Sequence, residues 1–356
     1  MRLAVGTFTD GSMGSEPAKG IYLAEFDAAS GKAEVAGIIE GLHSPSFLCR
    51  HPNKPIVYAA ERRWSAEDAT QGALSAWRLD ASAPELIARL PSGGAFTAHV
   101  DCHPHGSLLS IANPLGPSVC VFGLDPDGVP DGERDRFQPE GTGSLPRQEA
   151  PWPHSSYWDR PGTHLFSCDL GLDRIQIFSC DEQSGTLRSG KLPFAQVNSG
   201  AGARHLAVAN DNRFLYVANE LDSSLCVFTF DSDRSSLAIV QCRPSVPDGF
   251  SGANKPAEIK ISPDGRFLYV TNRGHDSIGI FAIDPDTGRI TPVGFPACLG
   301  QEPRHIAFSP QGDMLFLANQ MSGEMLAFAV CRESGTLTQH GPGLSIPSAC
   351  CVLPLD

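Results

Sequence analysis

Residues 263–283 read PDGRFLYVTNRGHDSIGIFAI, and this stretch decides the fold. A Pro-Asp-Gly turn leads into an apolar hexamer ending at Asn272, which is followed by a polar loop and a second apolar run. The hexamer recurs. RLAVGT ending at Thr7, IVYAAE at Glu61, LLSIAN at Asn113, HLFSCD at Asp169, FLYVAN at Asn219, FLYVTN at Asn272 and MLFLAN at Asn319 are seven copies of one pattern, their last residues 54, 52, 56, 50, 53 and 47 positions apart. A period near 52 fills the 356 residues about seven times. A second set of turns, DAASG, DASAP, DPDG, DEQSG, DSDRS, DPDTG and CRESG, divides each unit again. Runs of four to eight residues rich in Val, Ile, Phe and Tyr lie between these turns, with no sustained 3.6-residue period. Four strands per unit and seven units predict an all-β fold, a seven-bladed β-propeller. The first hexamer starts at Arg2 with no strand before it, while the tail SACCVLPLD is an apolar strand with no unit after it. The C-terminal strand is therefore expected to close blade one from inside, leaving no open edge, and residues 1–356 to form a single propeller domain.

Composition narrows the function classes. Hydrophobic residues make up 41% and charged residues 19%, and 40 acidic against 27 basic side chains give a net charge of −13. A field of that sign repels nucleic acid and anionic membrane, so any anionic ligand needs local arginines. No run approaches ~20 apolar residues, and the opening MRLAVGTFTD lacks a secretory h-region. A cytoplasmic protein, monomeric or weakly homo-oligomeric, is expected. The 11 cysteines show neither a C-x-x-C pair nor zinc spacing. Cys120 in SVCVF and Cys226 in SLCVF read as buried reduced thiols, and only Cys350 and Cys351 stand adjacent. The acidic run DPDGVPDGERD at 125–135 reads as a solvated turn, because its ligand spacing is incomplete for calcium.

Aligning the units on the turn after the innermost strand exposes a candidate site. Five residues before the first turn residue (Pro52, Pro104, Asp159, Asn210, Pro263, Pro310) stand Phe47, His99, His154, His205, Glu258 and His305, and one residue earlier come Ser46, Ala98, Pro153, Arg204, Ala257 and Arg304. Inner strands line a propeller's channel, so four His and one Glu are expected as a ring of titratable groups. Such histidines also serve to bond the neighbouring blade's backbone, and imidazoles with a carboxylate are potential metal ligands. Nothing in the spacing brings three of them to one ion, so no metal and no cofactor is expected. Loops after the hexamers carry charge in some copies only, at Glu220 and Arg273. Residues that differ between copies point to function, since shared ones serve the blade. The motifs G-x-S-x-G, H-E-x-x-H, the Walker loop and G-x-G-x-x-G are absent.

The stretches RQEAPWPHS from Arg147, DLGLDRIQIF from Asp169, GARHLAVANDNRFLYVANELDSSLCVF from Gly202, AEIKISPDGRFLYVTNRGHDSIGIFAID from Ala257 and EPRHIAFSPQGDMLFLANQ from Glu302 resemble the seven-bladed lactonase family, which includes propeller-type 6-phosphogluconolactonases and fungal carboxymuconate cyclases. The resemblance implies a lactone site at one channel mouth, with His154, Arg204, Glu220 and Arg273 corresponding to the family's proposed active-site residues. Around them His99, His205, Glu258, His305, Arg304, Arg147 and Gln148 are candidate substrate-binding residues. Trp152 stands where the family commonly has the first His of Pro-His-x-His. The expected activity is metal-independent hydrolysis of a lactone, 6-phosphogluconolactone or a related sugar lactone. The alternatives are a lactone cyclase and a non-catalytic propeller binding a protein or metabolite. His154 is the candidate base, Arg204 and Arg273 the forks for the substrate anion and the oxyanion, and Glu220 either an orienting group or a proton donor.

Overall fold

The computed structural model describes residues 1–11, 13–80 and 83–356. Seven antiparallel sheets of four strands form the blades, and a two-residue strand, Leu344–Ser345, adds to the seventh. The hexamers are the second strands and are buried along almost their whole length. The inner strands are Ala349–Pro354, Pro45–Arg50, His99–Cys102, Pro153–Trp158, Ala203–Val208, Lys255–Ile261 and Pro303–Phe308, in blades one to seven. Each touches the next, and the seventh touches the first, so they enclose a central channel. The DASAP turn, residues 80–84, lies partly outside the described residues.

The ring closes as the unpaired ends require. Leu3 pairs with Pro354, Val5 with Val352 and Gly6 with Cys351, so blade one takes its inner strand from the C-terminus and its other three strands from the N-terminus. A Cβ on Gly6 would stand 2.5 Å from the Pro45 carbonyl oxygen, so this position tolerates no side chain against blade two. The apolar core lies between blades. Leu3 and Val5 of blade one pack with Phe316, Ala318 and Met325 of blade seven and with Ala349 and Val352 of the closing strand. Fully burying such side chains contributes roughly 1.5–3 kcal/mol each.

The recurrent Asn also serves the ring. Nδ2 of Asn113, Asn272 and Asn319 donates to the carbonyls of Ser92, Ser245 and Cys298, which lie on the connections entering each blade. One cysteine reading is corrected. Cys226 is bonded to Cys242, its cross-strand partner in blade five, and is not a free thiol; such bonds persist where the surroundings are oxidising. Cys120, Cys350 and Cys351 are free and buried. Among the described residues no helix is long and apolar enough to cross a membrane.

A chain ending at Ser345 lacks the inner strand of blade one and exposes both the Arg2–Thr7 edge and the seam with blade seven. We expect it to show no cooperative thermal transition by circular dichroism. A melting curve like that of the full chain would contradict closure by the terminal strand.

Candidate active site

The inner strands do not run straight into the channel. Pairing with the second strand skips one residue at Ser46, His154, Arg204, Arg304 and Cys350. A bulged residue leaves the ladder and its side chain is re-aimed; here these residues share one layer near the mouth and line one cavity. The bulge also corrects the register read from the sequence. Ser155 pairs with Cys168 as His205 pairs with Ala218 and His305 with Ala318. Ser155 is thus the counterpart of the two histidines, and His154 belongs one layer higher with Arg204 and Arg304. Asp159 is not the first turn residue, so the position five residues before it lies one residue short of the histidine layer. The Asp159 N–H closes the turn onto the His164 carbonyl, as Ala209 does onto Phe214 and Ser309 onto Met314.

The lower layer plugs the channel. Glu258 Oε2 lies 3.1 Å from His205 Nδ1 and 3.2 Å from His305 Nε2, while its Oε1 meets Lys260 Nζ at 3.2 Å. The Phe47 ring packs 4.1 Å from His99 and 5.3 Å from His305, centroid to centroid. Tyr157 Oη approaches His205 Nδ1 at 3.1 Å. Burial pushes the imidazoles down. His99 falls well below its usual range, His205 to about 4, with the Arg204 charge adding to the effect, and His305 to about 3. Burial opposes ionisation of Glu258, yet Lys260 and the two histidines hold its carboxyl well below the usual value.

Above the plug the mouth is cationic. Glu220 Oε2 accepts from Arg204 Nε at 2.8 Å and from Arg273 Nη2 at 2.7 Å. The Ala257 carbonyl takes Arg204 Nη1 at 2.7 Å and the Lys255 carbonyl takes Arg273 Nε at 3.1 Å. Burial works against the Glu220 charge, but Arg273 and then Arg204 outweigh it and bring the carboxyl to about 2. Glu220 is therefore a fixed anion that clamps two arginines and has no proton to give near neutrality. His154 stands beside this clamp, its ring 5.0 Å from that of His205 and its Nδ1 buried without a hydrogen-bond partner. Burial, then the charge of Arg204, lowers its pKa well below the usual imidazole value. It is a neutral imidazole with a free ring nitrogen. The cavity these groups enclose measures about 20 Å³, room for one water-sized group, so a lactone has to enter from the open face.

Of the candidates, His154, Arg204, His205, Glu258, Arg304 and His305 line this cavity. Glu220 and Arg273 adjoin it through Arg204, His99 lies behind Phe47 and His205, and Gln148 and Arg147 stand apart from it. Gln148 is fully buried with its amide consumed by the loop: Oε1 accepts from Ser144 and Leu145 N–H, and Nε2 donates to the Leu170 carbonyl and Asp173 Oδ1. It fixes the loop before blade four and offers a substrate nothing, which corrects its assignment. Arg147 is exposed at the rim, stacked 4.1 Å over the Trp152 ring. Trp152 itself is held by its N–H on Asp169 Oδ1 at 2.8 Å.

One residue of the cavity is absent from the sequence-based set. Arg62 is 4% exposed, lines the same cavity and follows the hexamer IVYAAE directly, at the position of Glu220 and Arg273 in their own units. The rule that singled out those two residues applies equally to Arg62. Away from the mouth, at the opposite end of the inner strands, His103, His105 and Glu182 also come together across two blades. His103 Nε2 bonds the Gly162 carbonyl, and His105 pairs with Glu182 at 3.1 Å.

Comparison with known proteins bears on the fold and on the family. The family model described as a lactonase with a seven-bladed beta-propeller matches residues 2–354. A 6-phosphogluconolactonase of Formosa agariphila is 30% identical over 84% of each chain, and one of Bacillus subtilis is 28% identical over 84% of this chain and 82% of its own. The solved periplasmic gluconolactonase of Pseudomonas aeruginosa superposes with a TM-score of 0.90 at 28% identity, covering 99% of this chain and 98% of that one.

The depressed imidazoles carry a pH dependence of stability. In the unfolded chain they take up protons near 6.5, whereas folded His205 waits until about 4 and His305 until about 3. Their contribution is complete above 6.5 and is lost as pH falls below it, each by up to ~1.4 kcal/mol per pH unit. Asp101 and Asp169, whose carboxyls burial raises to about 6, gain stability over the same acid step. The four lowered imidazoles, His99, His154, His205 and His305, outnumber them, so urea unfolding at pH 7.5, 6 and 5 should show a net loss of stability as pH falls. A gain in stability on acidification across that range would contradict the lowered imidazoles.

Proposed function

The chain belongs to the lactonase family of seven-bladed β-propellers, and on that premise we propose that it hydrolyses an anionic sugar lactone of the 6-phosphogluconolactone kind, using His154 as its acid–base group and no resident metal. One arrangement supports this above all: a neutral imidazole with an unengaged nitrogen beside guanidiniums that a single carboxylate holds rigid. The names of the relatives, 6-phosphogluconolactonase in two cases, point to the same substrate class.

In this scheme His154 takes a proton from water as the water oxygen bonds to the lactone carbonyl carbon. The oxyanion that forms faces the Arg204 and Arg273 guanidiniums, whose positions Glu220 and the Ala257 and Lys255 carbonyls have already set, so little reorganisation is needed as charge develops. Collapse of the tetrahedral species breaks the ring C–O bond, and protonated His154 returns its proton to the departing ring oxygen. The products are a hydroxyl and a carboxylic acid, which ionises and releases one proton. Glu220, held at about 2, takes no part in proton transfer and acts by positioning the arginines.

His154→Ala should lower turnover by ~10²–10⁴ with little change in melting temperature, measured as proton release from 6-phosphogluconolactone. Asn319→Ala should do the reverse, since it strands the buried Cys298 carbonyl at a cost of ~1–3 kcal/mol. A chelator should leave the rate unchanged. For the free enzyme, kcat/KM should stay level as pH falls through 6.5, because the lowered pKa of His154 keeps it unprotonated there. If both variants lose activity only in proportion to lost folded protein, His154 is not the base.

A further inference from the structure

The four arginines at the mouth are held in two different ways. Arg204 and Arg273 are engaged by Glu220 and by backbone carbonyls. Arg62 and Arg304 are held by aromatic rings. The Arg62 guanidinium carbon lies 4.2 Å from the Phe8 centroid and 3.9 Å from that of Phe96, and Arg304 lies 5.0 Å from Phe8. Trp152 continues the stack, 5.9 Å from Phe96 and covered by Arg147. A stacked guanidinium is fixed in place while its charge is not cancelled and its in-plane N–H donors stay free.

Arg62 keeps those donors unused. Its Nε and Nη1 are buried and have no hydrogen-bond partner, an unfavourable state for a charged donor that a ligand can relieve. Asp10, whose charge reaches Arg62, is paired with Arg63 at 3.4 Å. Arg304 Nη1 rests on a neutral amide oxygen, Gln320 Oε1, at 3.0 Å. Burial lowers the pKa of Arg62 to about 10 and that of Arg304 to about 9, with Arg273 and then Arg62 adding repulsion at Arg304. Both side chains line the cavity that His154 and Arg204 also line.

We propose that Arg62 and Arg304, carried on the Phe8–Phe96 aromatic shelf, form a dedicated site for the anionic group of the substrate, a phosphate or a carboxylate. The clamped pair Arg204 and Arg273 is thereby left to the reacting carbonyl. On this proposal the substrate anion sits at Arg62 and Arg304 and not at Arg204 and Arg273, and Trp152 takes a role as part of the shelf. The site rests on the lactonase reading for the identity of its ligand and on the geometry alone for its existence.

The test uses inorganic phosphate as probe and needs no turnover. Calorimetric titration of the full-length protein with phosphate at pH 7 should give saturable binding and a raised melting temperature. Arg62→Met should weaken binding by ~10–100-fold, the loss expected for a charged, bidentate partner. Arg62→Lys, which keeps the charge but not the fork, should lie between. Arg63→Met, at the neighbouring pair with Asp10, should bind as the parent does. The kcat/KM ratio of 6-phosphogluconolactone to gluconolactone should fall in Arg62→Met by a similar factor. Parent-like phosphate affinity in a folded Arg62→Met or Arg62→Lys protein overturns the site. A parent that binds phosphate through Arg62 yet hydrolyses neither lactone upholds the site and overturns the lactonase reading.

Discussion

Everything at the mouth depends on the pairing of Arg2–Thr7 with Ala349–Pro354. Arg62 comes from blade two, His154 from blade four, Arg204 and Glu220 from blade five, Arg273 from blade six and Arg304 from blade seven, while Phe8 and Cys350 come from the two ends of the chain. No local element contains the site. A ring of sheets without a closing strand is free to open at one seam, and a seam opening by an ångström moves every one of these groups relative to its neighbours. Positioning at that scale decides rates. The non-local contacts between chain ends thus serve stability and chemistry together, and the buried Asn latches on the connections between blades hold the same ring from outside the channel.

The second constraint is charge. The whole chain carries −13, yet its mouth gathers the guanidiniums of Arg62, Arg204, Arg273 and Arg304 about the carboxylate of Glu220, since Asp10 is paired with Arg63 and Glu258 below is already bonded to Lys260, His205 and His305. Burying cations in excess is unfavourable, and the lowered pKa values of Arg62, Arg204 and Arg304 express that cost. The fold tolerates it by three devices: a shared carboxylate, backbone carbonyls and aromatic faces. Only the last leaves hydrogen-bonding capacity for something else.

Much of this was legible from residues alone. The hexamer period, the turns and the orphan terminal strand predict seven blades and their closure, because a repeat writes the same apolar pattern seven times. The layers of the channel were legible only to within one residue. A bulge inserts a residue without disturbing the apolar pattern, so His154 counted from its turn falls level with His205, although backbone pairing sets it with Arg204. Arg62 escaped notice because Glu61 replaces the recurrent Asn before it and makes the pair look like ordinary surface charge. Glu61 is in fact fully buried, bonded to Arg89 and to the His43 N–H. The pairing of Cys226 with Cys242 and the meeting of His103 and His105 with Glu182 depend on cross-strand and inter-blade register, which spacing along the chain does not encode.

The position of His154 ties the two arginine pairs together. Its basicity is lowered first by burial and then by Arg204, His205, Arg304 and Arg273, of which the three arginines carry charge near neutrality. Burial is a property of the fold and persists when a ligand arrives. The arginine contribution is not, since an anion set against the guanidiniums cancels part of the field that opposes a proton on His154. In the proposed mechanism the imidazole is thus a weak base in the empty mouth and a stronger one when a charged substrate occupies it. A neutral lactone of the same ring size, docked at the mouth, does not supply that charge. Selectivity for the anionic substrate then arises in the proton-transfer step as well as in binding, from the same cations that the aromatic shelf and the Glu220 clamp hold in place.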